Sequence, residues 1–120
     1  MKSTEGIIAE LKQFSGSCVL YKHWLNILYT EGIKHFAETT QSFWLIDAIA
    51  SHQTKKLLSN PYLQELQIWR LVVQEKSGVL ICEWDTDKEV LRQKIPYTDF
   101  PLPNIKLYLA QKVLMLPSEY

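Results

Sequence analysis

Apolar positions recur with two different periods along this chain, and the change from one to the other falls just after Glu65. Before it the spacing is helical. Ser3 and Thr4 offer N-caps, Ile7, Ile8, Leu11 and Phe14 follow on one helical face, and Gly16 stands where a left-handed C-terminal cap belongs. A short amphipathic helix is therefore predicted over residues 4–15. Residues 18–21 are β-branched and aromatic enough for a strand, followed by a turn from His23 to Asn26. Thr30 caps a second helix, with Glu31 against the positive end of its dipole and Ile33, Phe36 and Ala37 as its buried stripe. Gly32 in the first turn costs about 1 kcal/mol relative to alanine, which points to a close backbone approach at that position. After the polar run 39–42, a third helix is predicted from Phe43 to about Leu58, apolar all round at its start and so covered on most sides. Asn60-Pro61 stops it and caps one further turn through Glu65.

Beyond Glu65 the pattern alternates. Trp69, Leu71 and Val73 point to one face of a strand, Ile68 and Val72 to the other. A turn at Lys76-Ser77-Gly78 leads into a returning strand over residues 79–84, and Asp85-Thr86-Asp87 makes the next turn. A third strand spans residues 89–95 and ends at Pro96, which bars continued central pairing. Residues 100–104 form an extended loop, and residues 105–109 and 112–116 supply the last strands. With helices early and strands late, the expected class is α+β. N-terminal helices pack on a mostly antiparallel sheet of about five strands formed by the C-terminal half, within one domain spanning residues 1–120.

Charge narrows the function. Thirteen basic residues balance thirteen acidic ones, and no basic block stands out beyond Lys55-Lys56. Nucleic-acid binding is not expected from such a balance, because phosphate neutralisation needs a basic excess. Zero net charge favours self-association, so a homo-oligomer, a dimer, is expected. Cys18 and Cys82 form no Cys-x-x-Cys, and the N-terminus lacks the features of an export signal. A cytoplasmic chain with reduced thiols and no membrane span is the expectation.

Asp47 is the sharpest chemical feature, a carboxylate inside the apolar run from Phe43 to Ala50. It is read either as a pocket acid or base, beside Trp44 and Ser51 one turn away and His35, or as a structural ion bonded to backbone, His35 or Arg70. His23, His35 and His52 lack the spacing of a zinc motif. Glu83, Asp85 and Asp87 alternate at a strand end but lack the ligand count and glycine of a calcium loop. Neither a metal nor a cofactor is expected, and no nucleophile signature appears. Of the aromatics, Trp44 and Trp69 belong to the core. Trp24, Tyr97 and Tyr120, with Asp99 in an Asx-type turn beside Tyr97, form a candidate interaction surface.

Ordered segments carry a resemblance. They are Leu11-x-x-Phe14-x-Gly16, the run from Tyr29 to Glu38, the run from Phe43 to Ser51, Ile68-Trp69-Arg70-Leu71, the run from Ile95 to Leu102, and the terminal Leu116-Pro117-Ser118-Glu119-Tyr120. Together they resemble a family of small uncharacterised bacterial proteins associated with plasmids, phages and cyanobacterial genomes. Asp85-Thr86-Asp87 stands where such proteins carry Asp-Gly-Asn. The family is a domain of unknown function, so the resemblance implies no activity, cofactor or site residue. From the residues themselves the expected role is a non-enzymatic protein-interaction or accessory module. The alternative is a small-ligand pocket or enzyme centred on Asp47.

Overall fold

The computed structural model describes residues 6–7, 20–23, 25 and 27–120. Its strands in chain order are β1 (Leu20–Lys22), β2 (Leu28–Thr30), β3 (Leu66–Gln74), β4 (Ser77–Glu83), β5 (Glu89–Ile95), β6 (Asn104–Ala110) and β7 (Val113–Met115). Between β2 and β3 lie the helices α1 (Glu31–Thr40), α2 (Phe43–Ser51), α3 (Lys55–Leu58) and α4 (Pro61–Glu65). A single 3-10 turn, Pro117–Glu119, follows β7.

Among the described residues the strands make one seven-stranded sheet in the order β1-β2-β7-β6-β3-β4-β5. This corrects the expected five-stranded sheet of the C-terminal half. β1 and β2 come from the N-terminal half, and β2 joins β7 in parallel through Leu28↔Val113 and Tyr29↔Leu114, so the sheet is mixed. Nor do the described helices α1–α4 precede the sheet; they are inserted between its second and third strands. The physical reason is length. At three residues, β2 is too short for a period of two to show in sequence, and its place depends on a partner 85 or so positions away in the chain, on the order of a long-range pairing that no local pattern encodes.

One face of the sheet carries the core. Trp69 stands opposite Cys82 and Leu107, Leu71 opposite Leu80, and Leu109 opposite Leu114, and all of these side chains are buried. Ile33, Phe36 and Ala37 of α1, Leu45, Ile46, Ile49 and Ala50 of α2, and Leu63 of α4 close on them. The helix expected over residues 4–15 lies outside the described residues except for helical Gly6 and Ile7, and Ile7 is buried in this core.

The caps read from sequence form locally. Thr30 Oγ1 accepts the Ile33 N–H at 3.2 Å, and Asn60 Oδ1 accepts the Tyr62 N–H at 3.0 Å, with Pro61 opening α4. The third helix, however, is broken. α2 ends at Ser51, and Thr54 caps a new turn by accepting the Leu57 N–H at 3.2 Å. α2 is also covered on one side only, since Phe43 and Asp47 are exposed. The hairpin turn is Glu75-Lys76 rather than Lys76-Ser77-Gly78, with φ of 56° and 77°. Both signs are what a type I′ turn requires, and this one uses no glycine. Gln111-Lys112 repeats the arrangement between β6 and β7, with φ of 49° and 68°.

Candidate functional site

Asp47 is not buried. Its side chain is 58% exposed and its partner is His23, 7% exposed, whose Nε2 donates to Asp47 Oδ1 at 2.6 Å. The Leu25 N–H donates to His23 Nδ1 at 3.0 Å. The two bonds together assign the proton to Nε2 and leave neither ring nitrogen open to a substrate in this arrangement. The pair ties the segment after β1 to α2. The amphipathic geometry explains the correction: in the run 43–50, Leu45, Ile46, Ile49 and Ala50 fill the core-facing stripe, and Asp47 falls on the opposite side.

The other expected pocket residues do not gather round Asp47. Trp44 is half-buried against the core, and Ser51 is exposed with its hydroxyl donating to the Ala48 carbonyl at 2.7 Å. His35 Nε2 lies 3.4 Å from Thr39 Oγ1 on its own helix. Arg70 pairs with Glu83 instead, its Nε donating to Oε1 at 2.9 Å and Nη2 to Oε2 at 3.4 Å. Glu83, nearly fully buried, is thereby neutralised on the sheet's outer face, at a cleft of about 220 Å³ shared with Lys106 and Asp87. Among the described residues, no three His, Cys, Asp or Glu side chains converge as metal ligands would. The Cys82 thiol is pushed up to about 12 by burial and by neighbouring Glu83, which suppresses the nucleophilic thiolate.

Of the expected interaction residues, Trp24 lies outside the described residues. Tyr120 is 68% exposed and meets Tyr108 edge-on at 5.0 Å. Tyr97, equally exposed, and Asp99 follow directly on β5. Their loop is held by Thr98, not by an Asx turn of Asp99: the buried Thr98 hydroxyl accepts the Phe100 N–H at 3.1 Å.

These two residues lead to the more developed feature. β5 is the last strand of the sheet, hydrogen-bonded to β4 on one side, and no described strand pairs with its other side. Its outer backbone groups are a template for a further strand. Against it opens a cleft of about 350 Å³ with an apolar floor of Leu57, Leu63, Val90 and Leu91 and a rim that includes Thr54, Lys56 and Asn60. Val90, 41% exposed, is the extra residue of a β-bulge: Cys82 faces Leu91 while Glu83 faces Glu89. The bulge turns Glu89 and Arg92 to the same face, where Arg92 donates to Glu89 at 2.8 and 3.2 Å. That bond lowers the Glu89 carboxyl and raises the Arg92 guanidinium from their ordinary ranges.

Side-chain contacts brace the wall of the cleft. His52 stacks on Trp69 with ring centroids 5.7 Å apart and bonds Gln93 of β5 through Nε2 at 2.6 Å. Behind it, Gln53 and Gln67 exchange amide hydrogen bonds of 2.8 and 2.7 Å, and Trp69 Nε1 donates to Gln67 Oε1 at 2.8 Å. Each donor and acceptor so used is satisfied, which fixes α2 against the sheet. Sequence reasoning missed His52, Leu57, Leu63, Val90 and Leu91 as site residues. The one signal available was Pro96, which ends the third strand and bars continued central pairing there.

The fold and this site define a mixed β-sheet covered by helices on its core face, with a cleft at its open edge. A profile of a family of unknown function (DUF6876) matches residues 5–120, so the chain belongs to that family. No curated protein and no solved structure matches it. Among the described residues, no helix is long and apolar enough to cross a membrane.

Proposed function

We propose that this protein is a non-enzymatic interaction module whose docking surface is the outer edge of β5 and the adjoining cleft. The observation that carries the reading is their juxtaposition. An unpaired strand edge supplies main-chain hydrogen bonds, and the apolar floor of Leu57, Leu63, Val90 and Leu91 supplies side-chain pockets beside it. Exposed Tyr62, stacked on Trp84 at 4.7 Å, and exposed Tyr97 add aromatic area at the cleft's side of the sheet and at the strand's end. The pocket reading centred on Asp47 has weaker support, because Asp47 lines neither of the two clefts described above and its carboxylate is largely exposed and bonded to His23. An association with plasmids and phages, which the sequence resemblance alone implies, would put the partner among components of such elements or their hosts.

The test is a photo-crosslinking amino acid placed at Val90 in the cells that make the protein, with a second at exposed Glu38 on α1. A discrete adduct from Val90 and none from Glu38 is expected. Adducts of equal yield from both positions, or none from Val90, would refute the assignment.

A further inference from the structure

We infer that the segment received by β5 is an extended strand in which acidic residues alternate with apolar ones; this rests on β5 being the docking edge. Charge along that edge selects the partner. Arg92 and Lys94 project from the outer face of β5, and Lys56 stands on the rim of the cleft. Glu89 is bound to Arg92, while Lys56 and Lys94 take part in none of the ion pairs among the described residues. A strand laid beside β5 therefore meets unpaired Lys94 and the Arg92–Glu89 pair on one face, and on the other the apolar cleft with Lys56 at its rim. Because successive side chains of a strand alternate between faces, the complement is acidic and apolar by turns.

The same side chains argue against a second copy as the occupant. Antiparallel self-pairing centred on Arg92 sets Arg92 against Arg92, and pairing centred on Gln93 sets Arg92 against Lys94. Both place like charges opposite one another, which destabilises a strand pair. Pairing centred on Leu91 avoids this but runs through the bulge at Val90, which breaks the ladder. The homodimer expected from the balanced charge is thus not carried by this edge. Basic residues and a bulge block homotypic pairing while leaving an acidic partner attracted.

The experiment uses the full chain and three fluorescein-labelled seven-residue peptides: alternating Glu and Val, alternating Ser and Val, and alternating Lys and Val. Fluorescence anisotropy gives the affinities, and amide shift changes in labelled protein locate the site. The acidic peptide is expected to bind about tenfold or more tighter than the neutral one, with shifts along β5 and the cleft. The Lys94→Glu variant, changed at an exposed position, should lose most of that difference and keep its circular dichroism spectrum. Equal binding of acidic and neutral peptides at β5 would overturn the acidic partner and leave the docking edge standing. Absence of shifts in β5 with every peptide would overturn both. Concentration-dependent dimer formation through β5 without peptide would overturn the partner in favour of a second copy.

Discussion

A Cβ added to Gly32 would lie 2.7 Å from Oε1 of Glu119 and 2.9 Å from its Oε2. The Glu119 carboxylate sits against the first turn of α1, where Oε1 accepts the Thr30 hydroxyl at 2.7 Å and the Leu116 N–H at 3.0 Å. Its Oε2 is shut off from solvent, has no hydrogen-bond partner among the described residues, and faces the positive end of the helix dipole. The close approach that a glycine at this place implies is thus made by the end of the chain, and two segments of the family resemblance meet there.

The pair gives a prediction with a change of sign. Alanine normally favours a helix over glycine by about 1 kcal/mol. Here Gly32→Ala should lower stability by about 1–3 kcal/mol, because the carboxylate must give up its bonds to make room. In a Glu119→Ala background the same substitution should stabilise by up to about 1 kcal/mol. Urea melts of the four proteins in this cycle check it, and a destabilising effect in both backgrounds would discard the explanation.

Asp47→Asn should cost about 1 kcal/mol or less, since the carboxylate is largely exposed and screened by solvent. His23→Ala should cost more, about 1–3 kcal/mol, because the buried ring also receives the Leu25 N–H. Thermal melts compare the two. A larger loss at Asp47 than at His23 would reverse the assignment of the anchoring residue.

Burial of Cys82 makes two outcomes expected. Its alkylation at pH 8, followed by mass spectrometry of the peptide that contains it, should be slower in the folded chain by roughly a thousandfold than in urea. Its folded pKa is raised above the ordinary 9.0, to about 12, so the folded state keeps the proton longer than the unfolded chain does. Stability from this group is therefore complete below about pH 9 and declines between 9 and 12, by up to about 1.4 kcal/mol for each pH unit. Cys82→Ala should flatten that alkaline slope while lowering stability at neutral pH. A slope unchanged by the substitution would remove Cys82 from the account of alkaline unfolding.

The β3–β4 turn holds Glu75 and Lys76 at positive φ, where each non-glycine residue costs about 1–2 kcal/mol. Lys76→Gly should raise stability by about 1 kcal/mol, relieving that cost against the extra freedom glycine gives the unfolded chain. A urea midpoint that stays the same or falls would show that the lysine is not strained there.

How much was legible follows from where the determinants lie. The caps at Thr30 and Asn60 and the alternation of Trp69 and Leu71 against Ile68 and Val72 are local, and the structure has them as read. β2 was missed because three residues show no period, and its parallel place beside β7 is set by a distant partner. Asp47 was read as buried because its neighbours in sequence are apolar, yet the helix sends them and the carboxylate to opposite sides. The hairpin turn was displaced toward Gly78, although the chain turns at Glu75-Lys76. The cleft was invisible, since His52, Leu63 and Leu91 come from three separate parts of the chain, a loop, a helix and a strand, whose meeting no spacing encodes.

The measurement bearing most directly on β5 as a docking edge is amide hydrogen exchange along that strand in the free protein, resolved residue by residue. The amides of β3 and β4 and those of β5 directed to β4 are expected to exchange slowly. The alternate amides on the outer side of β5 are expected to exchange at rates close to those of an unfolded chain, and to slow when the alternating Glu and Val peptide is added. Uniform protection along β5 before any addition would contradict the open edge, since its outer side would then already be covered.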